Sequence, residues 1–167
     1  MQDRIDAIVA QWKRERPDLD TRAMALLGRI QRAAAALRPH LDRTHLESDL
    51  QGDSFDVLAS LRRSGPPYQL TPTELYREMM LSSGAMTNRI DKLEERGLVQ
   101  RRPDPDDRRG TLVRLTAKGK ALIDAATTKH VANEDRLISA LSSKEQQQLN
   151  DLLKKLLVAL GDGASGA

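Results

Sequence analysis

The sequence predicts a mostly α chain with one small β-hairpin, and three observations carry that prediction. Thr71-Pro72-Thr73-Glu74 combines a capping box, threonine to glutamate three residues on, with proline at the first helical position, so a helix must begin there. The run SGAMTNRIDKLEERGL, Ser83 to Leu98, is a polar-headed amphipathic helix that stops at Gly97, a residue suited to the left-handed C-cap. Val99 to Arg102 and Thr111 to Leu115 read as strands joined by PDPDDRRG, whose prolines and aspartates favour a loop with an arginine pair at its tip. Two helices around a turn at Leu81-Ser82, followed by a basic hairpin, make a winged helix-turn-helix within an α+β architecture.

The other elements are helical. Ile5, Ile8, Val9 and Trp12 fall at i, i+3, i+4 and i+7, one face of a short N-terminal extension helix that Pro17 ends. After Asp18 and Asp20, either of which can cap, a second helix carries Met24, Leu27, Ile30, Ala34 and Leu37 to about Pro39. Asp53 starts a third, with Phe55, Leu58 and Leu61 as its buried set, closed by Ser64-Gly65-Pro66-Pro67. Thr116 caps a long helix to about Leu141, and the capping box from Ser142 to Glu145 opens the last. That last helix carries Leu149, Leu152, Leu153, Leu156, Leu157 and Leu160, more leucine surface than one small core needs, which points to burial against a second copy of the chain. Residues 1–52 thus hold the extension and a first dimerisation helix, 53–116 the winged helix-turn-helix, 117–161 the C-terminal dimerisation helices, and 162–167 a frayed tail.

Composition narrows the function. With 167 residues and 39% hydrophobic content the chain can bury one sizeable core or two small lobes, and 31% charged residues solvate its surface. Net charge is only +3, so basic groups matter by placement, a mild pointer to an anionic partner. The absence of cysteine excludes disulfide scaffolds, thiolate metal sites and thiol redox signalling. The three histidines, His40, His45 and His130, lack close metal-ligand spacing, and no glycine-rich phosphate loop occurs. Neither a catalytic constellation nor a metal site nor a cofactor is expected. Nor is there a signal-like head or an apolar run long enough to cross a bilayer, so a cytoplasmic location is expected.

At roughly 100° per residue, Met86, Ile90 and Leu93 face the body of the domain, while Gly84, Thr87, Asn88 and Asp91 point largely away. Small and hydrogen-bonding residues at the start of such a helix suit a major-groove reader of double-stranded DNA, and its free amides can hold a phosphate. Thr87 and Asn88 are the leading base-edge candidates, with Ser83 and Gly84 in the turn that approaches the duplex most closely. A protein-binding winged helix with a solvated polar face is the competing interpretation. In the hairpin, Arg108 and Arg109 suit a narrow minor groove, with Asp106 and Asp107 orienting an arginine by ion pairing; a solvated loop of nearly cancelling charge is the alternative. Arg89 lies about 60 to 70° from the centre of the buried face and points partly inward. There it must pair with a carboxylate or receive an anion, because an unpaired buried charge is costly.

The run LTPTELYREMMLSSGAMTNRIDKLEERGLVQRRPDPDDRRGTLVRLTAKG resembles the DNA-binding lobe of the MarR family of bacterial transcription regulators, and the resemblance extends over nearly the whole chain. It implies a triangular homodimer, with N- and C-terminal helices forming the dimer lobe, a winged helix-turn-helix in each arm, and Arg109 entering the minor groove. The extension IVAQWKRERPDLD is similar to that of the family's urate-responsive branch. That likeness implies a ligand site made by Trp12, Asp56, Arg89 and Arg101, for urate or a similar small anion. A further polar position of that branch, often asparagine, falls at Ser64 here. The resemblance also implies repression of a neighbouring gene and of the regulator's own.

A planar purine anion would stack on the indole, draw charge-assisted bonds from two guanidinium groups, and give a ring N–H to the carboxylate. Each residue also has a plainer role open to it. Trp12 can pin the first helix, Asp56 can complement the dipole of the third, Arg101 can meet a phosphate, and Arg89 can brace the recognition helix. A regulator of the same fold answering to a phenolic, tricarboxylate or antibiotic-like compound, or an architectural protein with no ligand, are the competing functions.

Overall fold

The computed structural model describes residues 2–50, 52–79, 83–107 and 110–162, with the backbone alone at 52 and 83–85. Along the chain these form α1 (Arg4–Glu15), α2 (Arg22–Glu47), α3 (Gly52–Arg63), β1 (Gln69–Leu70), α4 (Pro72–Met79), α5 (Ser83–Glu95), β2 (Val99–Pro103), β3 (Thr111–Leu115), α6 (Ala117–Leu137) and α7 (Ser143–Ala159). The chain divides into two units, residues 1–130 and 131–167. None of the helices among the described residues is long and apolar enough to cross a membrane.

The local signals act as their chemistry requires. Thr71 N–H donates to Glu74 Oε2 at 2.7 Å while Glu74 N–H donates to Thr71 Oγ1 at 3.1 Å, closing the capping box of α4. Ser142 and Glu145 close the equivalent box of α7. Gly97 takes φ 68° at the end of α5, where a side chain would strain the backbone. β2 and β3 pair antiparallel from Val99 opposite Leu115 to Pro103 opposite Thr111.

Four boundaries differ from expectation. α2 continues through Pro39 to Glu47. A proline removes one amide bond, and beyond it buried Thr44 and His45 hold the final turns in place, with Thr44 Oγ1 donating back to the His40 carbonyl at 3.1 Å. The N-cap of α2 is Thr21 rather than either aspartate, although Asp20 Oδ1 accepts from Arg22 N–H at 3.0 Å. α6 ends at Leu137 rather than Leu141, because Ile138 to Leu141 turn with short-range bonds instead of continuing the ladder. β1 makes the sheet three-stranded, in the order β1-β3-β2. Its two residues carry no alternation of their own and are strand only because Gln69 and Leu70 lie opposite Arg114 and Val113. The turn expected at Leu81-Ser82 and the tail residues 163–167 fall outside the described residues.

The core lies in the first unit. Val57, Leu58 and Leu61 of α3 meet Leu75 of α4, Met86, Ile90 and Leu93 of α5, Val99 and Val113 of the sheet, and Ile123 of α6. Phe55, the third member of the expected buried set, is 6% exposed. The α5 residues recur at i, i+4 and i+7, so a single stripe fastens that helix and leaves its other faces open. Gly119 of α6 sits so close to the Leu98 carbonyl that a Cβ there would lie 1.9 Å from the oxygen, which fixes how α6 leaves the sheet.

Candidate nucleic-acid interface and ligand site

The polar face of α5 is presented as its periodicity requires. Thr87 and Asn88 are exposed, whereas Met86, Ile90 and Leu93 are at most 2% exposed. Ser83 and Gly84 open the helix, their side-chain surroundings lying outside the described residues. In the wing, Asp104 N–H donates to the Gly110 carbonyl at 3.1 Å, Gly110 N–H to the Asp107 carbonyl at 2.8 Å, and Asp106 N–H to Asp104 Oδ1 at 3.0 Å. These bonds close the loop on itself. Its tip arginines, Arg108 and Arg109, and with them the orienting role expected of Asp106 and Asp107, lie outside the described residues.

Arg89 does turn inward. Its side chain is 18% exposed, and its Nη2 donates to Asp53 Oδ2 at 2.5 Å on the first turn of α3. Asp53 itself is 61% exposed. The Nη1 of Arg89 is buried and has no hydrogen-bond partner among the described residues. Of the two roles that spacing left open, a carboxylate partner is therefore present, and one buried nitrogen of the guanidinium is left without a partner among the described residues.

Arg101 at the start of the wing is held within the lobe. Its Nη1 and backbone N–H donate to Glu94 at 2.5 and 2.7 Å, and its Nη2 donates to Asp91 at 2.6 Å. Burial works against the charge on Arg101, but the two carboxylates outweigh it and raise its affinity for the proton. Glu94 is correspondingly held below the usual carboxylate range, first by the Arg101 backbone N–H and then by the guanidinium. Asp91, expected to point freely away from the body, is exposed but committed to this pair.

Asp56 lies one turn beyond Asp53 and lines a cavity of about 470 Å³ between α3, α4 and α6, together with Phe55, Ser60, Glu78, Met79 and His130. The residue keeps contact with solvent, yet displacement of water by the cavity wall pushes its carboxyl above the ordinary value, with the Asp53 charge adding and His45 and His130 opposing. Trp12 is 40% exposed on α1, which packs on α2. Ser64 closes α3 by donating its hydroxyl to the Leu61 carbonyl at 2.8 Å. Of the four candidate ligand residues, Asp56 lines this cavity. Arg89 pairs with Asp53 of α3, and Arg101 with Asp91 and Glu94 of α5.

One cluster escaped the sequence. His45 of α2 stacks on Phe55 of α3 and on His130 of α6, whose rings are tilted to each other, with ring centroids 4.3 to 5.0 Å apart and His45 Nε2 3.1 Å from His130 Nδ1. Two histidines 85 positions apart give no spacing signal. Their proximity follows only from the packing of three helices beside Asp56.

The comparisons agree with this architecture. Residues 48–110 match the model of the MarR family. The chain is 36% identical over 152 residues to the HTH-type transcriptional regulator PecS of Dickeya dadantii (strain 3937), covering 91% of this chain and 92% of that protein. A mutant of MarR from E. coli, solved in complex with operator DNA, superposes with a TM-score of 0.70 at 31% identity, covering 82% of this chain and 97% of that one. A MarR family regulator from Streptomyces coelicolor in complex with DNA shares the fold, with a TM-score of 0.75 at 24% identity over 88% of this chain and 91% of that one. The chain belongs to the MarR family of transcriptional regulators and is not an enzyme.

Proposed function

We propose that the chain is a homodimeric, DNA-binding repressor that docks on a pseudo-palindromic operator and is released by a small planar anion such as urate or a related purine. The single observation that carries the DNA-binding half is the exposed Thr87 and Asn88 on a helix whose opposite stripe is wholly buried. Such a helix can enter a major groove without disturbing its own core. The amides at Ser83 and Gly84 would take a phosphate, and Arg108 and Arg109 would reach the adjoining minor groove. The operator-bound state of the E. coli relative supports this reading.

The ligand half rests on Arg89. A guanidinium with one nitrogen buried and unpartnered favours an incoming anion, because the desolvation of that nitrogen has already been incurred. Arg101, Asp56 and Trp12 would complete the site as second cation, N–H acceptor and stacking surface. Moving Arg89 toward a ligand moves the helix that carries Thr87 and Asn88. Two such helices must sit about 34 Å apart to meet successive turns of DNA, so a small reorientation is enough to lose the operator. Coupling of this kind amounts to about 1 to 3 kcal/mol, roughly 5- to 150-fold in affinity.

The test is to select binding sites from a random duplex pool, then titrate urate against the complex at fixed salt. The proposal expects a palindromic site and release that saturates with urate. Salt-driven loss alone, unaffected by urate, would reduce the protein to a regulator of this fold without a purine effector.

A further inference from the structure

Two arginines, one on α5 and one just past its end, reach toward one short stretch of chain. Arg89 meets Asp53, and seven residues later Arg96, just beyond the end of α5, donates from Nη2 to both Asp49 Oδ2 at 2.6 Å and the Asp49 carbonyl at 2.8 Å. On a helix, seven residues are two turns, about 10 Å, so the recognition helix is held at its middle and just past its C-terminal end against the connection between α2 and the start of α3.

The two fastenings differ in kind. Asp53 is a mostly exposed side chain, and it satisfies only one side of a largely buried guanidinium. At Arg96 one acceptor is a backbone carbonyl, belonging to a residue with φ 54°, in the left-handed region that few residues other than glycine adopt. That carbonyl cannot rotate away without remaking the turn, in which Leu50 N–H donates to the His45 carbonyl at 2.9 Å. An incoming anion that replaces the Asp53 carboxylate never leaves the buried Arg89 charge unpaired, and it returns a 61% exposed side chain to water, whereas opening the Arg96 contact disturbs backbone.

We propose that Asp53 is a resident anion which the effector displaces from Arg89, while the Arg96–Asp49 contact stays closed and serves as the pivot about which the recognition helix turns. The inference rests on the anionic-ligand reading above and adds two positioning residues to it. Asp53 holds Arg89 in the DNA-competent orientation and competes with the ligand for it. Arg96 converts movement at the N-terminal half of α5 into rotation rather than wholesale displacement.

The experiment has two arms, each on the full-length protein. Without ligand, operator affinity is measured for Asp53→Asn, Asp53→Glu, Arg96→Ala and Arg96→Lys. Asp53→Asn is expected to weaken operator binding about 3- to 10-fold with Asp53→Glu restoring much of it, and Arg96→Ala to weaken it at least as much, with Arg96→Lys intermediate. With urate, followed by Trp12 fluorescence, Asp53→Asn is expected to bind 3- to 10-fold more tightly than wild type. Arg96→Ala is expected to bind urate as wild type does while losing most of the urate-driven release of DNA. Unchanged or weaker urate binding by Asp53→Asn overturns the resident-anion role, and normal release in Arg96→Ala overturns the pivot. If wild type itself fails to bind urate, the ligand reading falls and the displacement with it. Unchanged operator affinity for both Asp53→Asn and Arg96→Ala would then show that neither residue holds the helix.

Discussion

Residues 1–130 and residues 131–162 solve the problem of apolar surface in opposite ways. The first unit contains every buried residue among those described, and its core draws on α3, α4, α5, α6 and the sheet. In the second, α7 has no buried residue at all, and Leu149, Leu152, Leu157, Val158 and Leu160 on it and its cap are 46 to 73% exposed. An amphipathic helix with intact caps and an uncovered leucine face is built for a partner, and a second copy of the chain supplies one with the matching face. The contrast teaches that the reading head can be specified within one chain, whereas the spacing between two heads depends on an interface.

The largest effect should come from breaking that interface. Leu152→Asp places a charge on the most central of the exposed α7 leucines and is expected to halve the sedimenting mass and to lower operator affinity by 100-fold or more, since the second head then binds independently. An unchanged mass would mean that α7 is not the face between copies. Next comes a break within the first unit. Gly119→Ala drives a methyl into the Leu98 carbonyl and should cost about 3 kcal/mol, lowering the Tm by roughly 10 °C, with sedimentation of the folded fraction unaltered. A Tm within 2 °C of wild type would show that α6 can shift away from Leu98.

The smallest effect is expected at the cavity beside Asp56. Because Asp56 has a raised folded-state pKa, its favourable contribution is full below the ordinary carboxylate value of 3.8 and is lost as pH rises through the folded value. Asp56→Asn should therefore stabilise the protein slightly at neutral pH, by less than about 1 kcal/mol after solvent screening, and the gain should fade on acidification below about pH 4. A neutral-pH loss of stability on that substitution, seen by thermal melts across pH, would show that the carboxylate is held by a partner rather than disfavoured by burial.

Much of the first unit was legible because its signals are local. The capping box at Thr71, the glycine at 97 and the i, i+4, i+7 stripe of Met86, Ile90 and Leu93 need no information from elsewhere in the chain, and the same holds for the capping box at Ser142 in the second unit. The inward turn of Arg89 followed from the same helical arithmetic, but its partner did not, since Asp53 lies 36 positions away. Nonlocal pairing likewise hid β1, which exists only through β3, and the stack of His45, Phe55 and His130. Pro39 misled in the other direction. A helix breaker sets a local cost, and packing of the turns that follow it can exceed that cost.

The proposed coupling of ligand to DNA runs through Arg89. Titrating the single tryptophan, Trp12, with urate in wild type and Arg89→Ala, with correction for inner-filter absorption, tests it most directly. Saturable quenching in wild type, with affinity reduced at least tenfold by the substitution, is the predicted result. Quenching that Arg89→Ala leaves untouched, or no quenching by any purine, would contradict the claim and leave Arg89 as a brace between the recognition helix and α3.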